Sequence, residues 1–161
     1  MSDDTVEMIT PPNRLKAKLG NRLAAFDAKA IERAEAALAG MASNFEDWLR
    51  EEAEKLDRTH RAAVAPGAGP DAMETFYRSA HDLKGLGTTY GYPIVSQFAG
   101  SLCRLIDSPD ARARASHVLL GAHVAAILAA VRQKITDSSH PIGAALLKEL
   151  ATQVGKFEQA D

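Results

Sequence analysis

The sequence predicts an all-α protein, an up-and-down bundle of antiparallel helices with one or two extra helices. Hydrophobic residues make up 46% of the 161 positions and charged residues 25%, which is the composition of a globular domain. Alanine is abundant and aromatic residues account for only 6%, so strong strand formers are scarce. Apolar residues recur every three or four positions from Asn13 to Phe157, the periodicity of amphipathic helices.

Two helices are predicted before a linker rich in Gly and Pro at residues 65–70. An apolar face that starts at Leu15 and reaches Leu38 predicts the first, which we expect to end at Gly40. Ser43 and Glu46 have the spacing of a capping box, which predicts that a second helix begins there. The apolar positions of the second helix are Phe45, Trp48, Leu49, Ala53 and Leu56.

Four more helices are predicted after the linker. Asp71 is expected to cap the third helix, Gly91 to end it and Pro93 to start the fourth. Asp107-Ser108-Pro109 caps a fifth helix that extends to Ile135, and Ser139-His140-Pro141 starts a sixth. Because the turns near residues 91 and 108 are short, we expect the third, fourth and fifth helices to be antiparallel neighbours. The apolar face of the third helix contains Met73, Phe76, Ala80, Leu83 and Gly87.

We expect residues 1–12 to be a flexible tail and residues 13–161 to form a single helical domain. The helices before the linker are amphipathic and need a partner face, which favours one domain over two. A net charge of −2 argues against nucleic acid as a partner, and no apolar run has the length of a membrane span. The acidic N-terminus does not have the pattern of a signal peptide. We therefore expect a cytoplasmic monomer that binds neither nucleic acid nor membrane.

The chemistry is predicted on the third helix. His81, Lys84, Gly85 and Thr88 are spaced i, i+3, i+4 and i+7, so they share one face, opposite the apolar stripe. A glycine inside a helix costs about 1 kcal/mol relative to alanine, and here it lets another molecule approach the imidazole. An exposed neutral imidazole is a nucleophile near pH 7, and Lys84 supplies a cation for an anion held on the ring. The stripe predicts a histidine that receives a phosphoryl group.

These residues resemble a known signature. His81-Asp82-Leu83-Lys84-Gly85, with Gly91 ten positions after the histidine, resembles the motif of histidine-containing phosphotransfer (HPt) domains. The resemblance covers residues 43–137 and implies an antiparallel four-helix bundle, here with additional N- and C-terminal helices. Many members of the family place a Gln on the following helix, facing the histidine. In this chain that helix offers Ser101, Cys103 and Arg104 near the expected level, with Gln97 nearer the turn.

The resemblance also implies a function. His81 would be phosphorylated at a ring nitrogen and would exchange the group with a receiver-domain aspartate, while Lys84 screens the phosphate and Gly85 admits the receiver. The partners would be response-regulator receiver domains and a hybrid sensor histidine kinase, with Arg78, Thr88 and Arg104 in the interface. We expect a phosphocarrier in a two-component phosphorelay rather than an enzyme, because the chain has no segment that could form a kinase nucleotide site.

No cofactor or metal site is expected, since Mg²⁺ is needed only in the receiver. A helical adaptor that binds receivers without carrying phosphate is the alternative function.

The remaining candidate residues are expected to be structural or solvated. We expect this of the histidines His60, His117, His123 and His140. Cys103 is expected to be a small buried apolar residue. Arg112 and Arg114 are expected to form a solvated helix start. A water-facing surface is expected for Glu51, Glu52, Glu54 and Asp57.

Overall fold

The computed structural model describes the backbone of residues 21–159 and the side chains from Asp27 onward. All regular secondary structure in this part of the chain is helical, which confirms the all-α class. The helices are α1 (Asn21–Ala63), α2 (Pro70–Thr89), α3 (Pro93–Leu105), α4 (Pro109–Arg114), α5 (His117–Arg132) and α6 (Pro141–Gln159). Within residues 21–159, none of the helices is long and apolar enough to cross a membrane.

The first two predicted helices are a single helix. α1 continues through Gly40 and Ser43, so the predicted helix end at Gly40 and the capping box of Ser43 and Glu46 are wrong. One glycine costs about 1 kcal/mol in a helix, but the surrounding alanines have the highest helix propensity and continue the helix on both sides. Glu46 instead forms an ion pair with Lys134, at 2.8 Å between Oε2 and Nζ.

Contacts divide the chain into two units, with the boundary between Met41 and Ala42. In the described part of the first unit, the large apolar side chains Ile31, Leu38 and Met41 are exposed. Leu38 is therefore not buried as its predicted face implies, and Leu15 lies outside the described residues. The second unit contains the buried core. A single domain over residues 13–161 stays a prediction.

The core of the second unit is built from the predicted apolar stripes. On α2, the side chains of Phe76, Ala80 and Leu83 are completely buried. α3 packs against α2, α5 and α6, so it is the central helix among these four. α1 contacts α2 through the rings of His60 and Phe76, whose centroids are 5.2 Å apart. The predicted stripe of α5 is also buried, and it contains Leu120, Val124, Ile127 and Val131, with Ile135 just after the helix.

Two glycines set the geometry between α2 and α3. Gly91 has φ of +82°, a backbone conformation that favours glycine, and Pro93 begins α3, so both predicted roles are confirmed. Gly87 lies so close to α3 that a Cβ built on it would be 2.6 Å from Ser96 Oγ and 2.7 Å from Ser96 N. Only a residue without a side chain allows this approach. The close contact consequently fixes the position of α2 relative to α3, and with it the position of the exposed face of α2.

Two details of the predicted helices are wrong. The N-cap of α2 is Gly69, with Pro70 in the first turn, so Asp71 lies inside the helix and not at its cap. The predicted fifth helix begins as predicted, with Ser108 as its N-cap, but it is two helices, α4 and α5, because the backbone leaves the helical conformation at Ala115 and a new helix starts after Ser116. The Ser116 hydroxyl accepts a hydrogen bond from the Leu119 N–H at 3.3 Å, which caps α5.

Candidate functional site

His81 lies in the middle of α2, on the face opposite the core. Its side chain is exposed together with Lys84, Gly85 and Thr88, as the spacing predicts. In the described part of the chain, neither ring nitrogen of His81 has a hydrogen-bond partner. The Tyr77 ring lies beside it, with centroids 6.1 Å apart and the planes inclined by 38°. Both nitrogens are therefore accessible to a reagent from outside the protein.

The space next to the His81 ring is open. A Cβ built on Gly85 would meet no heavy atom within 4 Å beyond its own helix. Gly85 and His81 line a surface pocket of about 330 Å³, together with Glu52, Asp82 and Leu86. The clearance predicted for Gly85 is present.

α1 contributes an acidic residue to this pocket. Glu52 was expected to face water, but its side chain is half-buried and lines the pocket with His81. Lys55 Nζ lies 3.0 Å from Glu52 Oε2 and 3.8 Å from Asp82 Oδ2, so a chain of three charges links α1 to α2. Glu54 is exposed, as expected. In the sequence Glu52 is one of several acidic residues in a row, and only the packing of α1 on α2 distinguishes it.

Lys84 does not line the same pocket as His81. Its aliphatic stem lies over Gly100 of α3, and a Cβ built on Gly100 would be 3.9 Å from Lys84 Cδ and Cε. Lys84 lines a groove of about 630 Å³ between α3 and α6, which also contains Arg104. The structure thus brings Lys84 and Arg104 together and places His81 at a separate pocket. The lysine stem is long enough to change side by rotation about its single bonds.

Arg78 and Arg112 share a carboxylate. Arg78 Nε is 3.1 Å and Arg112 Nη1 2.7 Å from Glu74, and these hydrogen bonds, the one from Arg112 first, lower the pKa of Glu74. Arg112 also stacks over the Tyr77 ring, 5.1 Å from its centroid. The expectation that Arg112 is merely solvated is wrong, because these contacts leave it half-buried. The stacked guanidinium of Arg112 thereby holds the Tyr77 ring, which lies next to His81, in place.

Thr88 holds α2 to α3. Its N–H donates to Ser96 Oγ at 2.8 Å, and its hydroxyl donates to the same oxygen at 3.1 Å. These bonds accompany the close approach at Gly87. The structure therefore places Thr88 on the exposed face beside the helix contact, where it fixes the position of the site helix.

The α3 residues expected near the His81 ring point to other partners. Ser101 Oγ lies 3.0 Å from Nε2 of His123, whose Nδ1 donates to the Leu119 carbonyl at 2.8 Å. His123 is completely buried, as a structural residue should be, and burial lowers its pKa. Cys103 is buried as expected, and burial raises the pKa of its thiol. None of the α3 residues lines the His81 pocket.

An aromatic cluster lies at the end of α2, within the second unit. The rings of Phe45 and Tyr90 are stacked at 5.1 Å between centroids, and the Trp48 ring is 6.2 Å from that of Tyr90. Trp48 is 47% exposed. Leu86 of the His81 pocket precedes Tyr90 by one helical turn, and Glu52 follows Trp48 by one turn on α1. The cluster, which the sequence analysis did not identify as a unit, therefore adjoins the pocket.

Metal chemistry has no candidate site in residues 21–159, where no group of three or more His, Cys, Asp or Glu residues could hold an ion.

Comparison with known proteins gives no assignment: no family model, no curated protein and no solved structure matches the chain.

Proposed function

We propose that the protein is a histidine phosphotransfer protein, which relays a phosphoryl group through His81 to and from receiver-domain aspartates of a two-component phosphorelay. The observation that carries this proposal is the exposed His81 ring, with both nitrogens unpartnered in the described residues, beside the open space at Gly85. The motif around it supports the same function. The buried face of α2 gives this ring a fixed platform.

The proposal includes the bundle of the HPt family. We assign its four helices to the part of α1 after Met41 and to α2, α3 and α5, with α4 as a connection and α6 as an addition. The packing of α3 on both α2 and α5 is consistent with this assignment, and so are the ring contact and ion pair that join α1 to α2. In this arrangement His81 lies on an outer face of the bundle.

The reaction needs little from the protein beyond position and charge. A neutral ring nitrogen of His81 attacks the phosphorus of an aspartyl phosphate on the receiver. The N–P bond forms as the bond between phosphorus and the aspartate oxygen breaks, and the carboxylate leaves with the electron pair. The reverse reaction returns the group to an aspartate. Lys84 offsets charge on the phosphoryl oxygens after its stem rotates from the groove toward His81.

The surroundings of the pocket fit a protein partner. Leu86 lines the pocket, and with the Tyr90 ring and the exposed Trp48, each one helical turn from a pocket residue, it forms an apolar border. Aromatic residues of this kind are enriched where proteins bind each other. A receiver domain could rest on this border while its acidic site faces His81. Arg78, Thr88 and Arg104 are proposed contacts at the edge of the same interface.

The direct test is transfer of label. The protein is incubated with a panel of receiver domains that carry radiolabelled phosphate, and the product is examined for label that is acid-labile and stable to base. We expect label on the protein with at least one receiver, and none on His81→Gln with unchanged circular dichroism. His117→Gln and His140→Gln, which remove other exposed histidines, should be labelled like the wild type.

Two results would contradict the proposal. Label that persists in His81→Gln would assign the chemistry to another residue. A receiver that binds the protein in stoichiometric amounts without any transfer of label would favour the adaptor alternative, in which no phosphate is carried.

A further inference from the structure

We infer that Glu52 is the residue that orients the imidazole of His81, by accepting a hydrogen bond from one ring nitrogen and leaving the other nitrogen free to react. The inference rests on the proposed function, because it assigns a positioning role at the same site. It concerns a residue of α1, the helix before the histidine, whereas the family resemblance directs attention to the helix after it.

The geometry of the pocket carries the inference. Glu52 and His81 line the same pocket from opposite helices. Glu52 Oε2 is held by Lys55 at 3.0 Å, whereas Oε1 has no partner in the described residues. The histidine likewise has two ring nitrogens without partners in that part of the chain. The two groups are not hydrogen-bonded to each other in the structure, so the bond that we infer forms when the Glu52 side chain turns across the pocket toward the ring.

The other charged groups around the pocket do not compete for this role. Asp82 also lines it, but Asp82 is the residue next to His81 on α2, and side chains at i and i+1 of a helix point in different directions. Lys55 is a cation and cannot accept a hydrogen bond from the ring. Lys84 and Arg78 are cations as well, and they are engaged over Gly100 and with Glu74.

The chemical consequence follows from the two forms of neutral imidazole. One nitrogen carries the proton and the other carries the lone pair, and the hydrogen bond made by the first decides which is which. A carboxylate that accepts from the protonated nitrogen fixes the tautomer and the orientation of the ring. Glu52 would therefore keep the lone pair on the nitrogen that faces the incoming phosphorus.

The test measures the tautomer directly, in the full chain and without a receiver. The tautomer populations of His81 are read from its ¹⁵N chemical shifts at a pH where the ring is neutral, and the rate of phosphorylation by phosphoramidate is measured on the same samples. In Glu52→Met we expect the tautomer preference to be lost and phosphorylation to slow about tenfold. Glu52→Gln should retain much of both, because its amide oxygen can still accept the hydrogen bond.

Two controls separate orientation from mere packing. Lys55→Met removes the ion pairs with Glu52 and Asp82 but leaves the carboxylate, so the tautomer preference should remain. Glu54→Met removes an exposed carboxylate of α1 and should change neither measurement. The inference is overturned if Glu52→Met keeps the wild-type tautomer ratio, or if Lys55→Met abolishes the preference equally. Failure of the phosphorelay proposal would give a different result: the wild-type protein would carry no label on His81, whichever tautomer the ring adopts.

Discussion

Alanine substitutions at Gly85 and Gly87, two residues apart on α2, should change stability in opposite directions. At Gly85 a Cβ meets no heavy atom within 4 Å beyond its own helix. Alanine there gains helix propensity without a clash, so the free energy of unfolding should rise by about 1 kcal/mol. The same propensity gain applies at Gly87, but there the Cβ would lie 2.7 Å from the Ser96 backbone nitrogen and 3.0 Å from the Tyr92 carbonyl oxygen.

The balance at Gly87 is unfavourable for alanine. Both obstacles are backbone atoms on the segment that begins α3, so α2 and α3 must move apart. Forced packing of this kind costs about 1–3 kcal/mol, and separation of the helices weakens the two hydrogen bonds of Thr88 to Ser96 by about 1 kcal/mol each. After subtraction of about 1 kcal/mol for propensity, Gly87→Ala should lower the free energy of unfolding by about 3 kcal/mol.

The assay is urea unfolding followed by circular dichroism, with equal m-values as the condition for comparing midpoints. In thermal melts the changes correspond to a rise of about 2–4 °C for Gly85→Ala and a fall of about 6–12 °C for Gly87→Ala. A Gly87→Ala protein as stable as the wild type would show that α2 and α3 are not in the close contact described above. A Gly85→Ala protein that is destabilised would show that this face of α2 is covered.

Three further predictions concern the site and the core. Gly85→Gln should stay folded, because Gln favours a helix over Gly, but its side chain should slow transfer from a phosphorylated receiver. Transfer at the wild-type rate would show that the open space at Gly85 is not needed. Lys84→Ala should slow transfer by about 10–100-fold, or about 1.4–2.7 kcal/mol, in single-turnover kinetics, without loss of stability. Burial lowers the folded-state pKa of His123 below the reference value of 6.5, so the unfolded chain takes up protons first as the pH falls below that value. The free energy of unfolding should therefore decrease between about pH 7 and pH 5, and decrease less in His123→Gln, because the variant cannot titrate there.

Much of the fold could be predicted because its signals are local. The stripe of Phe76, Ala80 and Leu83 fixes which face of α2 is buried, and it therefore also fixes that His81 is exposed. Gly91 and Pro93 were identified correctly because a left-handed turn residue and a proline at a helix start are each required by backbone geometry. Such features depend on one element and its ends.

The errors arise where local signals compete with a neighbouring element. Gly40 and Ser43 have the sequence pattern of a helix boundary, but the high propensity of the alanines around them continues α1 through both. Ala115 and Ser116 interrupt a pattern that looks continuous, since the apolar periodicity does not reveal a short break. Arg112 looks like a solvated residue until its contact with Glu74 is known.

The site itself depends on tertiary packing to different degrees. His81 and Gly85 lie on one helix, so their relation follows from the spacing alone. Glu52 lines the pocket because α1 packs against α2. Lys84 lies outside the pocket because its stem packs over Gly100 of α3. A motif that is read from the sequence can therefore specify which residues share the exposed face of α2 and the clearance beside His81. The charges and hydrogen bonds around His81 are set by neighbouring helices, so the motif alone does not specify them.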